Sequence, residues 1–233
     1  MSTRPPGNDA TSPSSPRPYV YSPPPPGPLP ILHADEHILV LDKPSGLLTV
    51  PGNRPDRKDC LESRAQHAFP QARIVHRLDM DTSGVIVLAL TASAHRHIGL
   101  QFEKRQTEKS YLALASGQIA QDCGRIDQPM ITDWPNRPKQ HINHEIGRQA
   151  ITDWTVLERA HDHTRVRLHP LTGRSHQLRL HLQWLGHPIL GDNLYAPDPI
   201  VAARERLCLH AERLAFRHPD GGAPVSFESP APF

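Results

Sequence analysis

Residues 75–90 read VHRLDMDTSGVIVLAL, a polar loop that leads directly into an apolar run. The β-branched residues at the centre of residues 84–90 predict a buried strand. Thr91 follows this strand and is a favoured N-cap residue, so we expect a helix from Ala92 to about Arg105. Because polar loops held by rigid strands commonly carry catalytic groups, the loop before the strand is the first candidate site.

The rest of the chain contains many short apolar runs and few helical patterns. These runs predict further strands at residues 38–41, 110–115, 150–157, 164–169, 208–216 and 225–227. Residues 174–185 are predicted to be helical, because Leu178, Leu182 and Leu185 fall on one face. Strands outnumber helices and rarely alternate with them. This pattern predicts an α+β fold with a mixed, largely antiparallel central sheet flanked by helices.

The N-terminal segment differs in composition from everything that follows it. The first 30 residues contain 11 of the 26 prolines, together with many Ser, Thr and Gly residues. Such a segment buries too little apolar surface to offset the entropy of ordering. We therefore expect a disordered tail over residues 1–29, either dispensable or a docking ligand, and a single folded domain over residues 30–233.

Composition also limits the class of protein. No apolar run is long enough to cross a membrane, and the N-terminus lacks the apolar core of a signal peptide. Cys60, Cys123 and Cys208 are widely separated, which excludes a disulfide scaffold and a cysteine zinc site. These features predict a cytoplasmic protein without a membrane partner.

Charge is distributed unevenly although the net charge is only +2. Residues 163–191 contain no Asp or Glu, yet they include Arg165, Arg167, Arg174 and Arg179. A locally positive surface of this kind suits a polyanion, and a solvated basic face is the alternative.

Asp79 is the candidate for chemistry in the polar loop. An aspartate in a turn usually accepts local hydrogen bonds, and that reading stays open. Arg77 lies two residues before it, and a carboxylate that arginine keeps ionised can act as a nucleophile or a general base.

Five segments together resemble the RluA-type pseudouridine synthases. They occur in that family's order and span about residues 31–233: KPSGL at 43–47, HRLDMDTSG at 76–84, KSY at 109–111, GRSHQLR at 173–179 and GHPILGD at 186–192. The resemblance implies one pseudouridine synthase catalytic domain over residues 30–233, without the S4 RNA-binding domain of many relatives. It implies isomerisation of uridine in RNA after base flipping, without a metal or other cofactor.

The resemblance also implies roles for individual residues. Asp79 would be the catalytic carboxylate, Tyr111 would stack on the flipped base, and Arg179 would pair with Asp79. Arg77 would contact RNA beside the flipped nucleotide. Further candidates for phosphate contacts are Arg137, Lys139, Arg165, Arg167 and Arg174.

The segment DWPNRPKQ at residues 133–140 is similar to that of a dual-specificity member of the family. It implies two substrates, a uridine in a tRNA anticodon stem-loop and one in a hairpin of 23S rRNA. We expect the protein to act on them as a monomer.

Two other functions compete with this interpretation. The pairs His95/His97 and His161/His163, completed by Asp79 or Asp192, suggest a metal-dependent hydrolase. However, the first pair falls in a predicted helix, where residues two apart do not share a face, and the second falls in a polar turn. A non-catalytic RNA-binding module would explain the basic segment equally well, but it has no use for Asp79, Tyr111 and Arg179 together.

Overall fold

The computed structural model describes residues 20–233, which form twelve strands and four α-helices. The strands are β1 (Ile31–Ala34), β2 (Ile38–Lys43), β3 (Arg73–Ile74), β4 (Ser83–Ala89), β5 (Glu108–Ser116), β6 (Cys123–Asp127), β7 (Met130–Thr132), β8 (Gln140–Ile142), β9 (Ile151–Arg159), β10 (His163–Pro170), β11 (Leu209–Arg217) and β12 (Pro224–Glu228). The helices are α1 (Leu61–Ala68), α2 (Ala92–Glu103), α3 (Gln177–Trp184) and α4 (Asp198–Ala202). The predicted α+β class is confirmed, because strands dominate and every strand pair described below except one is antiparallel.

The chain divides into two compact units. One contains residues 20–110 and 210–233, and we call it the terminal unit; the other contains residues 111–209, and we call it the middle unit. In residues 20–233 no helix is both long and apolar enough to span a bilayer.

The terminal unit is built around β4, in which all seven residues are buried. β2 lies antiparallel to β4 on one side, and β1 continues the sheet beyond β2. On the other side β4 pairs with β11 in parallel at its start and with β3 at its end. Apolar side chains from β2, β4, α2 and β11 form the core of this unit: Ile38, Val40, Val85, Val87, Ile98, Leu214 and Phe216.

The predicted helix after β4 is confirmed as α2. The Thr91 hydroxyl accepts a hydrogen bond from the backbone N–H of Ala94 at 3.1 Å, as expected of an N-cap. The predicted strand is also confirmed, and Gly84 at its start has φ +114°. A Cβ at this position would lie 2.2 Å from the carbonyl oxygen of Ala211, so only glycine allows β4 and β11 to approach this closely.

The middle unit contains an antiparallel sheet in the order β5–β10–β9–β6, and β7 and β8 form a separate hairpin. Its described core includes Met130, Ala150, Leu180 and Tyr195. Helix α3 is shorter than predicted and begins at Gln177, because His176 before it has a left-handed backbone with φ 56°.

Residues 1–19 of the predicted disordered tail lie outside the described residues. Residues 20–29 contain no helix or strand, but they are held by contacts that composition did not predict. The buried Tyr21 hydroxyl donates to the carbonyl of Asp59 at 2.8 Å, and Arg64 Nη2 donates to the carbonyl of Pro24 at 2.7 Å. One buried aromatic and one arginine of α1 therefore order this part of a proline-rich segment.

Candidate active site

The Asp79 loop, residues 75–82, joins β3 to β4 in the terminal unit. Its main anchor is Lys43, whose side chain is fully buried at the end of β2. The Lys43 ammonium donates to the carbonyls of Pro44 at 2.9 Å, Leu47 at 2.7 Å and Met80 at 2.8 Å. A buried cation thus joins the KPSGL segment to the residue that follows Asp79.

Other hydrogen bonds fix the main chain on both sides of Asp79. Thr49 Oγ1 donates to the carbonyl of Leu78 at 2.7 Å, and Ser45 Oγ donates to that of Asp81 at 2.7 Å. The backbone N–H of Thr82 donates to the carbonyl of Asp79 itself at 3.2 Å. The half-buried Asp79 carboxylate takes part in none of these bonds. The loop is therefore held by its backbone, and the carboxylate is not used to hold it.

His76 supports the start of the Asp79 loop as a neutral side chain. Its ring stacks on Phe102 with 4.4 Å between centroids, and Nε2 accepts a hydrogen bond from the backbone N–H of Val87 at 3.2 Å. Burial, with a smaller effect from the nearby Lys109 ammonium, lowers the pKa of His76 to about 3. His76 is thus a packing residue, and Arg77 beside it is exposed.

The other predicted site residues belong to the middle unit. Tyr111 is half-buried on β5 and pairs with Leu168 of β10. Arg165 and Arg167 are half-buried and alternate along β10 with the buried Val166 and Leu168. The two arginines therefore share one face of this strand, as the strand periodicity requires.

The GRSHQLR segment forms the start of α3, and Gln177 fixes it. The buried Gln177 side chain accepts from Thr172 Oγ1 at 2.7 Å and from the backbone N–H of Arg174 at 3.0 Å. Its amide donates to the carbonyl of Ile151 at 2.9 Å and to Thr152 Oγ1 at 3.0 Å. The start of α3 is thereby attached to β9, and Arg174 itself donates from Nε to a backbone carbonyl at 3.2 Å.

Arg179 makes a buried, bidentate ion pair with Asp192. Nε donates to Oδ2 at 2.9 Å and Nη2 to Oδ1 at 2.6 Å, and the two side chains are 2% and 0% exposed. Asp192 was not predicted as a partner from the sequence, and the predicted pairing of Arg179 with Asp79 stays a prediction. Burial opposes ionisation of Asp192. Even so, Arg179 and the backbone N–H groups of Leu194 and Tyr195 lower the pKa of this carboxyl.

Tyr195 connects α3 with the β7–β8 hairpin. Its hydroxyl lies 2.9 Å from His176 Nδ1 and accepts a hydrogen bond from the backbone N–H of Gln140 at 2.8 Å. The Arg179 guanidinium lies over the Tyr195 ring at 5.5 Å. The Tyr195 side chain is therefore the meeting point of three features: the left-handed His176, the Arg179 ion pair and the first residue of β8.

The DWPNRPKQ segment forms the tip of the β7–β8 hairpin, and we call residues 133–139 the hairpin tip. Arg137 and Lys139, both predicted to contact phosphate, lie within it. The Arg137 guanidinium lies 3.5 Å from the centroid of the Trp134 ring. No pattern in the sequence indicates a separate role for Trp134.

Metal binding has no support in the described part of the chain. Residues 20–233 contain no group of three or more His, Cys, Asp or Glu arranged to hold a metal ion. His95 and His97 lie in α2, where the His95 ring contacts the carbonyl of Ile74 at 3.0 Å and the His97 ring contacts Gln101 at 3.2 Å.

Four supporting residues were missed by sequence reasoning: Lys43, Gln177, Asp192 and Tyr195. Three of them lie inside the segments that carry the family resemblance, where neighbouring residues do not indicate their partners. Tyr195 lies just after GHPILGD, and nothing in its neighbourhood signals a contact with the hairpin. Their partners lie up to 55 residues away, as in the bond from Gln140 to Tyr195.

Comparison with known proteins gives a consistent result. Residues 37–184 match the family described as RNA pseudouridylate synthase. A protein of Yersinia pestis named dual-specificity RNA pseudouridine synthase RluA is 52% identical over 204 residues, which cover 87% of this chain and 99% of that protein. The protein of the same name from Escherichia coli K12 is 51% identical over 214 residues, which cover 91% and 98%.

Solved structures agree with this comparison. Human RNA pseudouridylate synthase domain containing 1 has a TM-score of 0.74 and 32% identity, covering 89% of this chain and 86% of its own. Human RNA pseudouridylate synthase domain containing 4 has a TM-score of 0.69 and 27% identity, covering 87% and 88%.

Proposed function

Because this chain belongs to the RNA pseudouridylate synthase family, we propose that it isomerises uridine in two RNA substrates, a tRNA anticodon stem-loop and a hairpin of 23S rRNA. That it is an RNA pseudouridine synthase follows from the family; the choice of substrates is the proposal. The word dual-specificity in the names of both bacterial relatives supports two substrates, and so does the DWPNRPKQ segment.

The reaction rearranges one nucleotide and consumes nothing. The bond between N1 of uracil and C1′ of ribose breaks, the base turns, and C5 bonds to C1′. The proton on C5 is released, and N1 takes up a proton. The target uridine must leave its stack to expose the glycosidic bond, and an unpaired loop makes this cheap.

Asp79 is the proposed catalytic carboxylate. The observation that carries this role is the loop geometry: Lys43, Thr49 and Ser45 hold the main chain around Asp79, while its carboxylate serves none of those bonds. A preorganised loop can present a charged group to substrate without reorganising during the reaction. The carboxylate acts on the ribose of the flipped uridine, either by adding to C1′ or by removing a ribose proton.

Tyr111 and Arg179 complete the proposed catalytic set. Tyr111 stacks on the flipped uracil and assists removal of the C5 proton, since a phenol offers both a flat face and a polar group. Arg179 supplies a fixed positive charge that favours the ionised form of the catalytic carboxylate. Its two bonds to Asp192 hold the guanidinium in one orientation, so Asp192 is a positioning residue.

RNA contacts are proposed for arginines and a lysine of both units. Arg77 lies in the Asp79 loop and is exposed, which suits a contact beside the flipped nucleotide. Arg165, Arg167, Arg174 and Lys139 are proposed to contact phosphate, and Arg137 is proposed to lie at the RNA as well. Contacts of this type give strong salt dependence and little sequence discrimination.

We also propose that residues 30–233 form the catalytic domain of a monomer that works in the cytoplasm. Cys60, Cys123 and Cys208 are free thiols, and Cys123 is exposed. An exposed free thiol suits a reducing compartment.

Tritium release from C5-labelled uridine tests the proposed function directly. The substrates are transcripts of the tRNA stem-loop and the 23S rRNA hairpin, with wild type beside Asp79→Asn and the exposed control Asp56→Asn. We expect release from both RNAs with wild type and Asp56→Asn. Asp79→Asn should release none while binding RNA within a few-fold of wild type.

Each other outcome removes a defined part of the proposal. Turnover by Asp79→Asn would remove Asp79 from the chemistry. Release from one transcript alone would remove the second substrate. Binding without release from either RNA would favour the non-catalytic RNA-binding module.

A further inference from the structure

The hairpin tip is a closed turn whose shape is set by its own hydrogen bonds. The backbone N–H of Asp133 donates to the carbonyl of Lys139 at 2.9 Å, and that of Lys139 donates to the carbonyl of Asn136 at 3.1 Å. The Asn136 amide donates to both Asp133 carboxylate oxygens at 3.1 and 3.0 Å. These bonds give the tip a defined conformation.

Trp134 is displayed on this tip in an unusual environment. Its residue is 64% exposed, whereas Trp154 of the same unit is buried. The Arg137 guanidinium covers one face of the indole at 3.5 Å from the ring centroid. Because Trp134 remains largely exposed although Arg137 covers one face of its ring, the other face is open to solvent. Leaving so large an apolar ring in water is unfavourable, which indicates a binding role.

The tip is also firmly attached at its base. Gln140, the first residue of β8, donates its backbone N–H to the buried Tyr195 hydroxyl. The same hydroxyl contacts His176 before α3. The indole is therefore held on a preorganised support, which reduces the entropy that binding would cost.

The charges of the tip select the kind of partner. Arg137 and Lys139 are cations, and the single acid among residues 133–139, Asp133, has its carboxylate occupied by Asn136. An open aromatic face beside cations matches an unpaired nucleotide, because the base stacks on the ring and the phosphate is attracted by the charge. An acidic protein surface could pair with Arg137 and Lys139, but it would not explain why one face of the Trp134 indole is left exposed.

We propose that Trp134 stacks on an unpaired base of the RNA substrate, a base other than the uridine that is isomerised. Arg137 holds the indole from behind, so its main task is to support the stack rather than to contact phosphate. This proposal rests on the proposed function, because it takes an RNA loop as the substrate. It adds a second base-recognition point, on the hairpin tip.

RNA affinity of full-length variants tests the stack. The dissociation constant of the tRNA stem-loop is measured in the Asp79→Asn background, with Trp134→Ala, Trp134→Phe and the control Leu157→Ala, an exposed apolar residue of β9. Loss of one base stack should weaken binding about 5- to 100-fold in Trp134→Ala. Trp134→Phe should remain within about 3-fold, because a phenyl ring still stacks, and Leu157→Ala should equal the parent.

Three further readouts separate stacking from other roles. Wild-type tryptophan emission should fall on RNA binding, and Trp134→Phe should lose most of that change. With Asp79 intact, the single-turnover rate of Trp134→Ala at saturating RNA should stay within about 3-fold of wild type, because stacking contributes to binding rather than to the chemical step. Trp134→Ala should leave the salt dependence of binding unchanged, while Lys139→Gln should lower its slope by about 0.7 to 0.9.

Several results would overturn the proposal. Equal affinities of Trp134→Ala and Leu157→Ala would exclude the stack, and a Trp134→Phe variant as weak as Trp134→Ala would exclude an aromatic role. A change in self-association without a change in RNA affinity would make the tip a protein interface. If neither transcript releases tritium but binding still depends on Trp134, the proposed substrate assignment fails and the stack stands.

Discussion

The Arg179–Asp192 ion pair can be tested against a second pair of similar geometry in the same unit. Arg125 Nε and Nη2 donate to the two Asp153 oxygens at 2.6 and 2.8 Å, close to the 2.9 and 2.6 Å of the buried pair. The pairs differ in burial, because Arg125 and Asp153 are 58% and 35% exposed. Asp192→Asn and Asp153→Asn therefore make the same chemical change in two environments.

The expected magnitudes differ because of desolvation. In the exposed pair water replaces the lost carboxylate, so Asp153→Asn should lower the free energy of unfolding by less than about 1 kcal/mol. Asp192→Asn removes the carboxylate that pairs with the buried Arg179 guanidinium through two hydrogen bonds. It also weakens the acceptor used by the backbone N–H groups of Leu194 and Tyr195. Breaking a buried pair on one side typically costs about 3 to 5 kcal/mol, and we expect a loss in this range.

The assay combines urea unfolding with the tritium-release reaction. Unfolding midpoints give the difference in stability between the variants. The kcat of each variant, measured well below its midpoint, reports whether Arg179 remains in position. Asp192→Asn should lower kcat at least 10-fold with a smaller change in KM, and Asp153→Asn should leave both unchanged.

One result would refute this reasoning: Asp192→Asn no less stable than Asp153→Asn and equally active. That outcome would mean that Asp192 neither compensates the buried charge nor positions Arg179. If Asp192→Asn is as stable as Asp153→Asn but inactive, Asp192 still positions Arg179, and the expected loss of about 3 to 5 kcal/mol is wrong.

Three further perturbations test other parts of the structure. Lys43→Met removes three hydrogen bonds to backbone carbonyls, so it should destabilise the protein by about 3 kcal/mol and lower kcat. An unchanged kcat in the tritium-release assay would show that the Asp79 loop does not need Lys43 as an anchor. Gly84→Ala places a Cβ 2.2 Å from a carbonyl oxygen at positive φ and should cost about 2 to 5 kcal/mol in urea unfolding. The control Gly99→Ala lies in α2, where a Cβ meets open space, and it should raise the free energy of unfolding by up to about 1 kcal/mol. Equal urea midpoints for the two variants would contradict the close approach of β4 and β11 at Gly84. Burial lowers the pKa of His181 to about 4, so the folded protein binds this proton at lower pH than the unfolded chain does. His181 therefore does not lower the free energy of unfolding above about pH 6.5, and it lowers that free energy by about 2 kcal/mol at pH 5. His181→Gln should reduce the pH dependence of the free energy of unfolding by one proton in this range. A pH profile identical to that of wild type would contradict the buried, neutral His181.

Local patterns predicted the elements that form the centre of the terminal unit. Residues 84–90 are apolar and β-branched, and Thr91 is a common N-cap, so β4 and α2 were both predicted from neighbouring residues. By contrast, α1 was missed because its N-cap is Cys60, whose Sγ accepts from the backbone N–H of Ser63. Cysteine is not among the residues that normally signal a helix start.

Long-range partners were beyond the reach of the sequence. The run of arginines in residues 163–191 indicated a basic segment, but charge patterns do not say which carboxylate a given arginine meets. No local pattern indicated that Asp192 would lie at the Arg179 guanidinium, where the structure shows it. The role of Lys43 could not be read from its neighbours, because its bond to Met80 spans 37 residues. Nothing in the sequence around Trp134 indicates whether its side chain is an exposed binding residue or part of the core.

The division of the chain into units has a consequence for synthesis on the ribosome. Residues 111–209 are translated as one uninterrupted segment, so all strands of the sheet from β10 to β6 are available to each other before β11 emerges. The terminal unit must wait, because β4 meets its parallel neighbour only when residues 210 and 211 have left the exit tunnel. During that interval one edge of β4 near the Asp79 loop lacks its native strand, and nascent chains in this state are the ones we expect chaperones to bind.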